Sequence, residues 1–272
     1  MEIPAGPLNL LSKRRFTKKE SHPIRLPKTS FKKKVIWLRR FLYVTDTHGV
    51  RTVYERMFDL GKAKDIDFLV FGGDITSGAN PNGQRFFLES YLVPRLIEFR
   101  KHFKKPVYLM MGNDDFSSNV RILKKAGRAK VLRLLHSRFY RLDGLNIAGY
   151  PFVNPTPFLL KDWEKTEEKI ERDLEKLSEN IDPKRTIYVF HAPPYGTKLD
   201  MLYNGEHKGS KAIRNFIEEK QPLLCLHGHI HESPEVSGVI RQKIGRTVCV
   251  NPGSGRIILV DAERLRITKV EE

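Results

Sequence analysis

The sequence predicts an α/β fold in which helices cover a parallel-rich sheet and a second sheet packs on the first. Three observations carry this prediction. A unit of apolar strand, polar loop and helix occurs three times before residue 130. Later strands follow with fewer helices between them, and the polar residues that stand out sit just after strands. Alternating strands and helices favour a parallel sheet, and ligands gather at the carboxyl ends of such strands.

The first strand is Arg39-Arg40-Phe41-Leu42-Tyr43-Val44-Thr45, which runs into Asp46-Thr47-His48. Val50, Val53, Tyr54, Met57 and Leu60 then recur at helical spacing. Phe68-Leu69-Val70-Phe71 leads into Gly72-Gly73-Asp74, a glycine-rich loop and a helix from about Gln84 to His102, with a kink predicted at Pro94. Pro106-Val107-Tyr108-Leu109-Met110 leads into Gly112-Asn113-Asp114-Asp115 and a short helix from near Ser117. Later strands are read at 146–149, 186–190, 223–226, 248–250 and 256–260. Three prolines make residues 150–157 irregular, and a helix with Glu-to-Lys or Glu-to-Arg pairs at i,i+4 follows from about Asp162 to Asn180. The expected organisation is a basic arm over residues 1–38 and one domain over 39–272, with 155–183 as a helical insertion or lid.

Composition narrows the function classes. The chain has 272 residues, 40% of them hydrophobic, enough for a sizeable core. Residues 1–40 hold twelve Lys or Arg against two Glu and so supply +10 of the formal +17. Such an arm suits nucleic acid or anionic lipid, and it equally suits a solvated extension. Cys225 and Cys249 sit in apolar runs, as small buried hydrophobes do, so a reducing, cytoplasmic setting is expected. Pro7-Leu8-Asn9-Leu10-Leu11 is too short for a secretory core, and no run approaches the ~20 apolar residues of a membrane span.

The chemistry lies in the strand-end motifs. Asp46 and Asp74 offer carboxylates, Asn113 an amide oxygen, and His48, His191, His229 and His231 imidazoles. Each piece alone is weak: Gly-Gly-Asp and Gly-Asn are ordinary turns, and a lone histidine is usually structural. Seven such residues, each at a strand-to-loop junction, form a donor set for two divalent metal ions. Mixed oxygen and nitrogen donors suit Mn, Fe, Co, Ni or Zn better than Ca. Two cations about 3.5–4 Å apart lower the pKa of a bridging water and stabilise both oxygens of an in-line displacement at phosphorus. Side chains alternate along a strand, so His229 and His231 can face one site only from an irregular loop.

In order, residue type and spacing these motifs resemble the calcineurin-like metallophosphoesterases, whose pattern is Asp-X-His, Gly-Asp, Gly-Asn-His-Asp/Glu, His and Gly-His-X-His. The resemblance covers about residues 40 to 261. The Gly112-Asn113-Asp114-Asp115 variant and His191-Ala192-Pro193-Pro194-Tyr195-Gly196 are most similar to the Icc-related predicted phosphoesterases of that superfamily. It implies a four-layer α/β-β-α sandwich of two mixed sheets with a binuclear metal site at the strand ends. It also implies one ion, Mn favoured, on Asp46, His48, Asp74 and His231, and a second on Asp74, Asn113, His191 and His229. A hydroxide between them would attack phosphorus in line, without a phosphoenzyme.

Asp114 departs from the family pattern, which places a histidine there to assist the leaving group. An ionised carboxylate, with a reference pKa near ~3.9, would repel phosphate. Asp114 is therefore expected to be protonated with the help of Asp115, or to point away; both could equally cap the helix near Ser117. The expected activity is phosphodiester hydrolysis, with activated or diester substrates preferred over alkyl monoesters. The alternatives are a metal-dependent nuclease that holds nucleic acid through the arm, and a non-catalytic phosphate or nucleic-acid binding module. His227 is expected to pack rather than ligate, Asn251-Pro252-Gly253-Ser254 to support the site through its backbone, and His207 and Lys208 to stand aside from substrate.

Overall fold

Strand alternation sorts the apolar residues into separate cores. The computed structural model of the chain describes residues 40–63, 65–77, 80–158 and 162–270; the predicted basic arm lies outside them. In chain order the elements are β1 (Arg40–Val44), α1 (Arg51–Gly61), β2 (Phe68–Gly72), α2 (Pro81–Phe87), α3 (Val93–His102), β3 (Val107–Met110), α4 (Val120–Arg128), β4 (Arg133–Leu134), β5 (Arg138–Arg141) and β6 (Asn146–Tyr150). Then come α5 (Glu167–Ser178), β7 (Thr186–Phe190), α6 (Lys211–Lys220), β8 (Leu224–Leu226), α7 (Ser233–Ser237), β9 (Arg241–Ile244), β10 (Thr247–Val250), β11 (Ile258–Asp261) and β12 (Arg266–Lys269).

The strands form two six-stranded sheets, in the orders β12-β11-β1-β2-β3-β4 and β5-β6-β7-β8-β10-β9. Both are mixed: β1 to β4 run parallel with β11 and β12 antiparallel, and β6, β7, β8 and β10 run parallel between antiparallel β5 and β9. Phe41, Tyr43, Phe68 and Val70 turn inward against Ile187, Val189, Leu226 and Val250, so the central core lies between the sheets. The Phe41 and Phe68 rings stack there at 4.4 Å. Leu42, Val44, Leu69 and Phe71 turn outward under Tyr54, Met57 and Leu96 of the first helical layer. On the far side Tyr188, Phe190 and Cys225 meet Ile170, Leu174, Ile213 and Phe216 of α5 and α6. The result is the four-layer α/β-β-α sandwich that the motifs implied.

Two local outcomes differ from the sequence reading. The helix is not uniformly α-helical on the approach to Pro94. A π-turn over Leu88–Leu92, closed by the Val93 N–H on the Leu88 carbonyl, places Pro94 in the first turn of α3, where its missing N–H costs little. The charged helix begins at Glu167 rather than near Asp162. Residues before it are tied as extended chain, with Val153 N–H donating to Trp163 O and Lys165 N–H to Val153 O, each at 2.9 Å.

Candidate metal centre

All seven predicted ligands leave the carboxyl ends of β1, β2, β3, β7 and β8. Four of them, Asp46, His48, Asp74 and His229, have φ of 49°, 42°, 47° and 65°. A non-glycine residue is uncommon in this left-handed region and costs of order 1–3 kcal/mol, so such residues cluster where a site demands them. His229 meets the requirement for an irregular loop. Its ring lies 5.5 Å from that of His191, while the His231 ring lies 5.9 Å from that of His48.

Asp46, His48 and Asp74 each place one donor atom within 4.8 Å of the others. On the other side of Asp74, His191 Nε2 lies 3.3 Å from Asp74 Oδ2 and 3.0 Å from Asn113 Oδ1. Asp74 thus stands between two groups, one holding His48 and His231 and the other Asn113, His191 and His229. Asp46, Asp74, Asn113 and His191 are buried, His48 and His229 are half-buried, and His231 is exposed, so the site opens on its histidine side.

The electrostatics favour positive charge here. Burial raises the Asp46 pKa and Asp74 adds to it, against the opposing His191 and His48. Burial also opposes ionisation of Asp74, but His191 outweighs it and holds Asp74 below the usual carboxylate range. Burial opposes charge on His191 as well, yet Asp74 and Asp46 bring it up to about 9. Two buried carboxylates are thus balanced by a proton shared into the same space.

The donors fit divalent cations on three observations. His48 Nε2 is buried without a hydrogen-bond partner. A Cβ on Gly112 would stand 2.4 Å from Asp74 Oδ1 and 2.5 Å from His191 Nε2, so the Gly-Asn motif needs glycine for close approach. A Cβ on Gly228 would stand 2.4 Å from Asp46 Oδ2, which explains the glycine of Gly-His-X-His in the same way.

Asp114 Oδ1 accepts from Asn113 Nδ2 at 2.9 Å, and Oδ2 lies 3.9 Å from His48 Nδ1. Its own N–H donates to Asp74 Oδ1 at 2.8 Å. Asp115 is buried and accepts from the N–H groups of Ile75, Thr76 and Gly112 at 3.0, 2.9 and 2.9 Å. Burial, with Asp74 adding, pushes its carboxyl up to about 6. Neither side chain caps the short helix, because the Ser117 N–H donates to Asp162 Oδ2 at 2.8 Å.

Supporting residues were harder to foresee. Asn251 supports the site through its side chain rather than through backbone alone: Nδ2 donates to Leu199 O and Ile230 O, each at 2.9 Å. Ser254 Oγ donates to Asp46 O at 2.8 Å. Trp163 Nε1 donates to Asp115 O at 2.5 Å. Asp200 organises the loop after β7 by accepting from the N–H groups of Gly196, Thr197 and Gly209, and His207 Nδ1 lies 2.8 Å from it. His227 is buried, with Nδ1 2.9 Å from Ala192 O. Of these, the sequence reading singles out His207, His227 and the Asn251–Ser254 turn, while no motif marks Trp163 or Asp200.

Fold and donors together define a metal-dependent enzyme of the two-sheet sandwich class. The calcineurin-like phosphoesterase family model matches residues 39–233, and the chain belongs to that family. It is therefore a metallophosphoesterase acting on phosphate esters. Solved structures share the fold. One, the TT1561 protein of Thermus thermophilus, is 17% identical with a TM-score of 0.64 over 86% of this chain and 98% of its own. Another, a dimetal phosphatase from Danio rerio, is 9% identical with a TM-score of 0.54 over the same shares. Comparison with curated protein sequences gives no significant match. Among the described residues no helix is long and apolar enough to cross a membrane.

Proposed function

We propose that this chain is a binuclear phosphodiesterase with Mn as its favoured metal, one ion on Asp46, His48, Asp74 and His231 and the other on Asp74, Asn113, His191 and His229. The observation that carries this reading is the place of Asp74 between two donor groups, with a carboxylate oxygen within 4.8 Å of the Asp46 and His48 donors and Oδ2 3.3 Å from His191 Nε2. When bound, the two cations supply Lewis acidity that activates water and neutralises phosphate oxygens. The chain holds the donors in place before substrate arrives. Asp115 ties the loops after β2 and β3 together, and Asp46 ties those after β1 and β8.

Asp114 takes the place of a leaving-group histidine and instead touches Asn113 and faces His48. In this reading it orients ligands, and the leaving oxygen receives no imidazolium proton. Esters with good leaving groups and diesters are then favoured over alkyl phosphomonoesters. The free, buried Cys225 and Cys249 support a reducing, cytoplasmic setting.

The test is hydrolysis of an aryl phosphodiester, an aryl phosphomonoester and an alkyl phosphomonoester by metal-stripped protein, with and without added Mn, beside an Asp74→Ala control. Diester turnover that needs both Mn and Asp74 supports the reading. Equal rates on alkyl monoester and aryl diester overturn the preference. Phosphate binding without turnover across several metals makes the chain a recognition module. Cleavage confined to oligonucleotides favours the nuclease alternative.

A further inference from the structure

A second concave site lies beside β4, the edge strand of the first sheet, and none of the predicted metal ligands lines it. Its volume is about 890 Å³, within the range of about 300–1,000 Å³ common for small-molecule sites. Arg100 and Lys104 enter it from α3 and the following loop, and Lys124, Arg128 and Lys130 from α4 and its turn. Arg133 of β4 and Arg138 of β5 complete seven cationic side chains, and no carboxylate lines the wall.

Ordinary structural roles account for only part of this charge. None of the seven has an ion pair among the described residues. Arg128 lies in the last turn of α4, where a cation offsets the helix dipole, and Arg100 donates to the Phe103 and Lys105 carbonyls. Lys104 Nζ likewise donates to Arg100 O at 3.3 Å and Arg138 stands on an edge strand, which leaves Lys124, Lys130 and Arg133. Arg133 is held ready: it donates to Tyr108 Oη at 2.9 Å and lies 5.6 Å from the ring centres of both Tyr108 and Tyr140.

His136 adds an independent sign. It lines the same wall, and both of its ring nitrogens are buried without a hydrogen-bond partner. Burial holds its pKa down at about 3, with Lys124 and Arg138 adding to the effect. Uncompensated positive charge gathered around one concavity raises the energy of the free protein, and an anion of several charges relieves it.

We propose that this cavity binds a compact oligophosphate group, carried by an inorganic oligophosphate or by a nucleoside triphosphate. Closely spaced phosphates match seven cations around one concavity. A nucleic acid spreads its charges along an extended backbone and presents few of them to a cavity of this size.

The test is calorimetric titration of the full chain in chelator, which removes metal-dependent phosphate binding, with inorganic tripolyphosphate, ATP, AMP and a single-stranded oligonucleotide. Tripolyphosphate or ATP should bind one to one and much more tightly than AMP; which of the two binds better identifies the source. The Lys124→Gln/Arg138→Gln variant, altered at two exposed positions, should bind at least tenfold more weakly while Mn-dependent ester hydrolysis is unchanged. Lys130→Gln, on an exposed turn, should give a smaller loss in the same direction. Absence of binding, unchanged affinity in both variants, or binding confined to the oligonucleotide overturns the proposal. Unchanged affinity would also place the interaction on the basic arm.

Discussion

Asp46 accepts the backbone N–H of His229 on both carboxylate oxygens, at 3.1 and 3.2 Å, across 183 residues of sequence. Asp46 follows β1 of the first sheet and His229 follows β8 of the second, so one carboxylate fixes the two rims against each other. The same side chain is a predicted ligand. Asp46→Ala should therefore remove a donor and leave the half-buried His229 N–H without that acceptor, which costs about 1 kcal/mol. Urea unfolding should show a loss of that order in chelator. Mn titration and diester turnover should show a loss on the order of 10³-fold, since several kcal/mol of charge stabilisation go with the ligand.

Gly112→Ala isolates geometry from chemistry. The added methyl would stand 2.4 Å from Asp74 Oδ1 and 2.5 Å from His191 Nε2, so one donor must move while all seven remain. Misplaced ligand support typically costs 10–100-fold in metal affinity or activity. Mn affinity by calorimetry should fall by about that factor with the circular dichroism spectrum retained. Affinity equal to that of the native protein would mean the loops yield without cost.

Much of this arrangement is legible in the sequence, for reasons visible in particular residues. The strands that lead into the proposed ligands are buried on both faces, so Phe68 to Phe71 and Thr186 to Phe190 read as continuous apolar runs. Strands β5, β9 and β12 are edge-side strands with exposed Arg138, Arg141, Arg241, Lys243, Arg266 and Lys269, charges that guard a sheet edge against pairing. They therefore lack the apolar signal that marks a strand. The two-residue β4 is too short to leave one. Among site residues, the proposed ligands stand out by type and by adjoining glycines. Asp115 reaches the backbone of Ile75 and Thr76, 40 and 39 residues away, and Asn251 that of Leu199 and Ile230, 52 and 21 away, and no local pattern encodes such a partner.

His136 makes stability depend on pH. Both ring nitrogens are buried without partners against Trp163, at 4.5 Å between ring centres, and Lys124 and Arg138 face the ring. Its pKa is held down at about 3 from an ordinary 6.5. Below about 6.5 the unfolded chain binds a proton that the folded chain refuses until about 3, so the unfolded state gains and stability falls as pH drops through that window. The slope contributed by one group approaches about 1.4 kcal/mol per pH unit. His136→Phe keeps a ring against Trp163 and removes the titration. Urea midpoints at pH 7 and pH 4.5 should differ less in this variant than in the native chain, and equal differences would count against the buried neutral imidazole.

The proposed role of Asp114 makes the choice of ester testable. It lies 39% exposed at the open side of the site, beside His48 and Asn113. The side chain there brings no imidazole to a departing alkoxide. Aryl leaving groups need little such help, whereas alkyl groups need it most, so a general acid at this position changes the two reactions unequally. General acid catalysis contributes about 10²–10⁴-fold where it operates fully. Asp114→His should therefore raise Mn-dependent turnover of an alkyl phosphomonoester by about tenfold or more while changing aryl diester turnover by less. Asp114→Asn removes the charge without supplying a proton donor of suitable pKa, so it should improve KM for both esters and leave their kcat ratio unchanged. An equal gain in alkyl turnover from Asn and His would assign the effect to charge alone. No gain from either would place Asp114 outside the path of the leaving group.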